Sequence, residues 1–330
     1  MIVLWACVAF VPATPAGGDP SFAARRDAFF ARIAAAPARD INGALVWMAA
    51  GQSPPLEAFE RGFRPMELRQ DCADFQLPRV LRFLYQFADS PLAPEGARER
   101  ARRVLLDFKY WPDEPGVDSM CTWTENHYIL FASGAYLAGQ LFPEERFTNS
   151  GRTGREMMAR FRPRIMKWLE LRYKTGFNEW FSNVYYDEDL AALVALADFS
   201  EDAELATRAA MVADLLLADL ACNSFRGIPG STHGRTYERH KKRPGNTSMS
   251  AVARLLFGPG GAGTPMSAVQ LALATRYRAP RVLFEIANDS APRIVNRQRM
   301  GIRIEDGARW GLGYADVEHT LAHDTLAAIG

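Results

Sequence analysis

Residues 128 to 142, Tyr-Ile-Leu-Phe-Ala-Ser-Gly-Ala-Tyr-Leu-Ala-Gly-Gln-Leu-Phe, offer almost no polar face. A helix that is apolar around its whole circumference has to be enclosed by other elements rather than laid on a surface. With 330 residues the chain is long enough to enclose it, as one large helical domain or as two smaller ones. Thr122 followed by Glu125 fits a capping box that starts the helix near Trp123, and Pro143 stops it. Glu125, Asn126 and His127 then occupy the first turn, where free backbone N–H groups and the positive helix end favour an anionic ligand. The same three residues also have a structural reading: a capping carboxylate beside a satisfied Asn-His pair.

The periodicity elsewhere is helical. Apolar residues at steps of three and four predict helices over 21 to 36 (Phe22, Phe29, Phe30, Ile33), 78 to 87 (Val80, Leu81, Leu84, Phe87) and 95 to 108, with a Pro-rich passage through Pro54 and Pro55 between the first two. Thr153 and Glu156 make a second capping box, opening a helix with Phe161, Ile165, Trp168 and Leu169 inward, kinked at Pro163 and ended at Gly176. Further helices follow over 187 to 199, over 201 to 222 with Ser200 as cap, and near 247 to 257 and 267 to 277. Residues 293 to 295 and 302 to 304 suit short strands. The expected fold class is all-α, built of antiparallel helix hairpins, with those strands near the C-terminus.

Helices joined by modest loops run antiparallel, so the loops can be sorted by end. The helix that begins at Glu125 leaves one rim and the next returns by Gly176, which puts residues 177 to 186 on that rim. The pair 187–199 and 201–222 brings the loop 223 to 246 back to the same rim. Three segments rich in Trp, Tyr, His, Asn and carboxylate thus converge on one end, whereas the far turns, Pro-Glu-Glu-Arg and Ser-Glu-Asp, are plain polar caps. Such an asymmetry points to a functional site.

The chemistry available there is limited. No nucleophile elbow, phosphate loop or HExxH occurs, and neither a cofactor nor a metal is called for. A formal charge of +1 without a dense Lys/Arg footprint argues against nucleic acid as a partner, and no segment is long enough to span a membrane. Trp123, Trp180, Phe181, Tyr185, Tyr186 and Tyr237 provide flat faces beside Glu179, Asn183, Asp187 and Arg235, a mixture suited to sugar rings. Taken singly, each of these aromatics suits a core better than a ligand face. Lys241, Lys242 and Arg243 add charge to the same loop as Arg235, the lysine pair reading as a solvated run.

Asn126-His127 at the start of a buried helix, the aromatic loops, and His233 with Tyr237 later in an all-helical chain resemble the α/α-toroid polysaccharide lyases of the alginate and chondroitin/heparin types, over roughly residues 70 to 260. The resemblance implies a toroid or incomplete toroid over 17 to 290 and cleavage of an anionic, uronate-containing polysaccharide or oligosaccharide by β-elimination. It implies Asn126 and His127 as neutralisers of the uronate carboxylate, His233 or Tyr237 as base and acid, and Arg235 as a carboxylate clamp. Many such lyases carry a long β-sandwich after the toroid, whereas this chain ends at Gly330, so residues 291 to 330 read as a C-terminal segment opening a further region, or as the tail of a minimal toroid. A glycoside hydrolase on a similar toroid, using two of Glu125, Glu179, Asp187 and Asp189, is the alternative enzyme. A non-catalytic glycan-binding protein or helical scaffold is the alternative class.

Residues 2 to 11 suit the apolar core of an export signal, with Thr14-Pro15-Ala16 as cleavage site, although no Lys or Arg precedes Arg25. The expectation is a signal peptide over 1 to 16 and a periplasmic or secreted protein; without a signal the chain is cytoplasmic. Cys72, Cys121 and Cys222 would remain, with no metal-ligand spacing, and Cys72 with Cys121 can form a disulfide after export.

Overall fold

The computed structural model describes residues 21–291 and 293–298. The expected signal segment, the strand expected at 302 to 304 and most of the C-terminal segment lie outside the described residues. Within them the protein is mostly helical: α1 (Phe22–Ala34), α2 (Ile41–Ala49), α3 (Glu57–Glu67), α4 (Leu77–Gln86), α5 (Ala97–Asp107), α6 (Glu125–Leu141), α7 (Gly154–Thr175), α8 (Tyr185–Phe199), α9 (Ala203–Cys222), α10 (Glu238–Lys242), α11 (Ser248–Phe257), α12 (Ser267–Leu273) and α13 (Arg281–Ala287). The two strands, β1 (Ser224–Phe225) and β2 (Ile228–Pro229), pair antiparallel with Phe225 opposite Ile228. No strand forms at 293 to 295; that stretch is exposed and irregular.

The apolar run behaves as its composition demands. α6 packs on α4, α7 and α8, and α8 in turn packs on α4, α9 and α12. Every residue of α8 from Tyr186 to Phe199 is buried, as is all of α12. α7 and α9 lie outside this layer, pack on one another, and bury one stripe each. The hairpins run antiparallel: Arg172 near the end of α7 is ion-paired with Glu125 at the start of α6, and the Tyr186 hydroxyl at the start of α8 donates to Asp219 near the end of α9.

Two caps differ from expectation. α6 begins at Glu125 after Thr124, whose side chain makes no cap bond, so Thr122 and Glu125 do not form a capping box. The Glu125 carboxylate is drawn instead to Arg172 and to the Asn178 backbone. α9 is capped by Asp202, which accepts from the Leu205 N–H at 3.0 Å, rather than by Ser200. The Thr153–Glu156 box is present in both directions. α7 continues as one helix through Pro163.

At the end of the bundle away from Glu125, Asp198 at the foot of α8 accepts from the N–H groups of Thr275, Arg276 and Tyr277 and pairs with Arg82 of α4 at 2.9 Å. Arg82 also donates to Gln270 of α12 at 2.6 Å, so one buried guanidinium joins three helices.

Where α6 and α7 cross, glycine allows the close approach. A Cβ on Gly154 would lie 2.2 Å from the Phe142 carbonyl and 2.5 Å from that of Gly139. Gly154→Ala is expected to lower stability by about 1–3 kcal/mol in chemical denaturation. Gly230→Ala, where only the Ile228 oxygen stands near at 3.6 Å, should change it by less than about 0.5 kcal/mol.

Candidate functional site

The site is built from the first turn of α6 outward. Glu125 is buried, paired with the equally buried Arg172, and accepts from the Asn178 N–H at 2.8 Å, while Trp168 donates to its carbonyl at 3.1 Å. These bonds make it a strut that fixes the 177–184 loop to the start of α6. Asn126, next in line, donates its amide to the Glu179 carboxylate at 2.7 Å, and its Oδ1 has no partner among the described residues. Burial pushes the Glu179 pKa up, and the Asn126 hydrogen bond only partly offsets this.

His127 points elsewhere. Its Nδ1 lies 2.6 Å from Asp74, its ring stacks on Phe75 at 5.1 Å, and it is only 5% exposed. Burial alone would lower its pKa, but hydrogen bonds with Asp74, Cys121 and Cys72, together with the Asp74 charge, push it up to about 12. His127 is therefore an imidazolium, while burial pushes the Asp74 carboxyl up against the opposing pull of its hydrogen bond and charge with His127. Cys72 and Cys121 carry free thiols.

The two rim loops dock on each other through their backbones. The Gly234 N–H donates to the Trp180 carbonyl at 2.9 Å, the His233 Nδ1–H to the Phe181 carbonyl at 2.9 Å, and the Ser182 hydroxyl to the Arg235 carbonyl at 2.7 Å. A carbonyl accepts only, so in neutral His233 the free lone pair is on Nε2. Its ring lies flat on Phe181, a residue held at φ 49° where the loop turns. The Tyr185 and Tyr237 hydroxyls are 3.5 Å apart, and the Arg235 guanidinium stands 5.6 Å from the Tyr237 ring centroid and 5.9 Å from that of Tyr185. The hydrogen bonds with Tyr185 and then Arg235 hold the Tyr237 phenol below its ordinary pKa, whereas burial pushes Tyr185 up.

The three rim segments inferred from loop counting thus meet at one end. Their residues divide by depth. Trp123, Tyr237 and Arg235 are exposed, and Glu179, Trp180, Tyr185 and His233 are partly so. Glu125, Asn126, His127, Asn183, Tyr186 and Asp187 lie beneath them. Tyr186 donates to Asp219 at 3.1 Å, and Asp187 accepts from the Ser267 N–H and hydroxyl. Neither oxygen of Asp189 and neither amide atom of Asn183 has a hydrogen-bond partner among the described residues.

Several residues of this layer carry no local signal in the sequence. Asp74 and Arg79 are brought in by tertiary packing alone, Arg79 lying 3.6 Å from Glu188. Arg172 could have been found, because it continues the stripe Ile165, Trp168, Leu169 onto the buried face. Among the described residues no three His, Cys, Asp or Glu side chains are grouped to hold a metal ion, and no helix is long and apolar enough to cross a membrane. The chain matches no known family, no curated protein and no solved structure.

Burial raises the pKa of Asp187 to about 6 and of Glu188 to about 8, against ordinary values of 3.8 and 4.5. Between pH 4.5 and 8 the folded chain holds protons that the unfolded chain has released, so this cluster's contribution to stability falls as pH rises through that window. The thermal midpoint is expected to drop from pH 5 to pH 8, and Glu188→Gln to flatten the slope; a midpoint rising over this range in both proteins contradicts the assignment.

Proposed function

We propose that the protein cleaves a uronate-containing polysaccharide by β-elimination, on a helical toroid or part of one. The packing of α2 on α4, α4 on α6, α6 on α8, α8 on α12 and α12 back on α2 supports a closed circuit of inner helices. The observation that carries the enzymatic reading is the Tyr237 phenol, 37% exposed, with its pKa lowered by Tyr185 and Arg235, on the rim that also holds Glu179 and Asn126.

Removing the C5 proton of a uronate is hard until the adjacent carboxylate is neutralised. Glu179, whose raised pKa favours its protonated form, can donate to that carboxylate, with Asn126 behind it and Arg235 beside it as clamp. Tyr237 as phenolate, or His233 through Nε2, accepts the C5 proton. The electron pair then forms the C4–C5 double bond as the C4–O bond breaks, and the leaving oxygen takes up a proton from the Tyr237 hydroxyl or the His233 imidazolium, whichever received the C5 proton. His127, sealed with Asp74, acts in this reading through its charge below Asn126 rather than by contact. Hydrolysis by paired carboxylates is less supported: Glu125 and Asp187 are committed to Arg172 and Ser267, Asp189 is enclosed, and Glu179 alone among the four reaches the surface.

Incubation with a panel of acidic and neutral polysaccharides should produce the ultraviolet absorbance of an unsaturated uronate. New reducing ends without that absorbance would overturn the reading in favour of hydrolysis, and no reaction on any substrate would leave the binding or scaffold class. Tyr237→Phe is expected to lower kcat by about 10²- to 10⁴-fold with little change in KM. Tyr185→Phe, which deletes the hydrogen bond that holds Tyr237 down, should move the pH–rate profile to higher pH.

A further inference from the structure

One side chain from late in the sequence is fastened to the rim. The Trp180 indole N–H donates to Gln298 Oε1 at 2.9 Å, and Gln298 Nε2 donates to Oδ1 of Asp219. The other oxygen of Asp219 accepts from the Tyr186 hydroxyl at 3.1 Å. One carboxamide thus bridges the 177–184 loop and the last turn of α9. The segment that delivers it is otherwise loose: residues 293 to 298 are exposed, belong to no helix or strand, and make no backbone–backbone hydrogen bond with another described residue. Among the described residues, the segment's hydrogen bonds to the rest of the chain are those of the Gln298 side chain. A backbone with no bonds of its own is a poor support for holding an indole in one orientation, because precise placement takes a rigid element. It is well suited to letting go, since side-chain bonds that water can replace add little net stability.

What takes the place of Gln298 when it leaves is set by its two partners. Trp180 offers an N–H and Asp219 an acceptor oxygen, so the space between them fits a neutral group that accepts and donates at once. The Gln298 carboxamide is such a group, and a sugar hydroxyl is another. A carboxylate or a sulfate would bring a second negative charge to Asp219 with no proton to give it. Asp219 is only 6% exposed with Gln298 in place, whereas Gln298 is exposed, so the carboxamide stands on the solvent side of the carboxylate. The partly exposed Trp180 ring adds a flat apolar face suited to a sugar ring.

We propose that Trp180 and Asp219 form a subsite for a neutral sugar hydroxyl, and that Gln298 occupies it in the free protein as a latch that an incoming saccharide displaces. This subsite rests on the rim's being a saccharide site, but not on elimination as its chemistry.

The indole N–H resonances of the full chain test the contact, with the Trp180 signal assigned by its loss in Trp180→Phe. In Gln298→Ala that signal is expected to shift and its proton to exchange faster with water; circular dichroism establishes that this variant, altered at an exposed residue, is folded. Acidic and neutral oligosaccharides, titrated by calorimetry, are expected to bind Gln298→Ala roughly tenfold more tightly than the native chain, because a latch closed about nine-tenths of the time lowers the apparent affinity by that factor. Adding Trp180→Phe to Gln298→Ala keeps a ring but removes the N–H, and should weaken binding again by about threefold to tenfold. An unmoved Trp180 signal, or binding to Gln298→Ala no tighter than to the native chain, would overturn the latch. Saccharides bound more tightly by Gln298→Ala but left uncleaved would support the latch and overturn elimination alone. A panel bound by neither protein would overturn both the latch and the saccharide reading of the rim.

Discussion

The ion pair between Glu125 and Arg172 is the contact on which the rest of the rim depends. Both groups are almost completely shut off from water, and burial pulls the Arg172 pKa down to about 10 despite the attraction of Asp189. Such a pair is retained at the expense of two desolvated charges, and deleting one partner commonly costs about 3–5 kcal/mol because the other is then stranded. Its geometric effect is local. It binds the last turn of α7 to the first turn of α6, and the same carboxylate takes the Asn178 N–H, so the aromatic loop leaves α7 in a fixed direction. Every contact that follows, from Asn126 with Glu179 to Trp180 with Gly234, inherits that placement.

Charge below the surface sets the chemistry above it. Asp187, Glu188 and Asp189 stand in succession at the start of a buried helix, with Arg79 and Arg172 as their nearest cations and His127 contributing a further positive charge. Three acids so close in a dry interior repel one another, and burial favours their neutral forms. The imidazolium of His127 is held by Asp74 within the same interior. The rim groups therefore sit over a layer whose protonation responds to pH without touching solvent, and Glu179 is affected by the His127 charge across it.

Much of the bundle was legible in the sequence, because burial on all sides and the 3.6-residue period leave a direct trace. The enclosed 128–142 run, the Thr153–Glu156 box and the end of the bundle at which the loops gather all follow from pattern and loop parity. α2 and α3 leave no such trace: α2 is too uniformly apolar over nine residues to show a period, and α3 carries Gly62 and Pro65, which argue against a helix until packing overrides them. The site was legible in its membership more than in its depth. Asn183, Tyr186 and Asp187 look like surface ligands in a polar-aromatic string, yet all three are buried, Tyr186 and Asp187 because they begin a helix enclosed on every face and Asn183 because it lies just ahead of that helix. Asp74 and Arg79 belong to a distant stretch and enter only through tertiary packing, which no local pattern encodes.

The clamp at Asp198 has a consequence for where the molecule yields. There a carboxylate is met by three backbone N–H groups and an arginine that ties α4, α8 and α12, so the far end of the inner layer is closed by bonded charge. At the other end, Asp189, Asn183 and Asn126 retain polar atoms without partners among the described residues. Amide protons near Asp198 should then exchange only with global unfolding, while those at the starts of α6 and α8 open in smaller, cheaper fluctuations. The bundle is thus held firmly at its base and more loosely at the end where the aromatic loops gather.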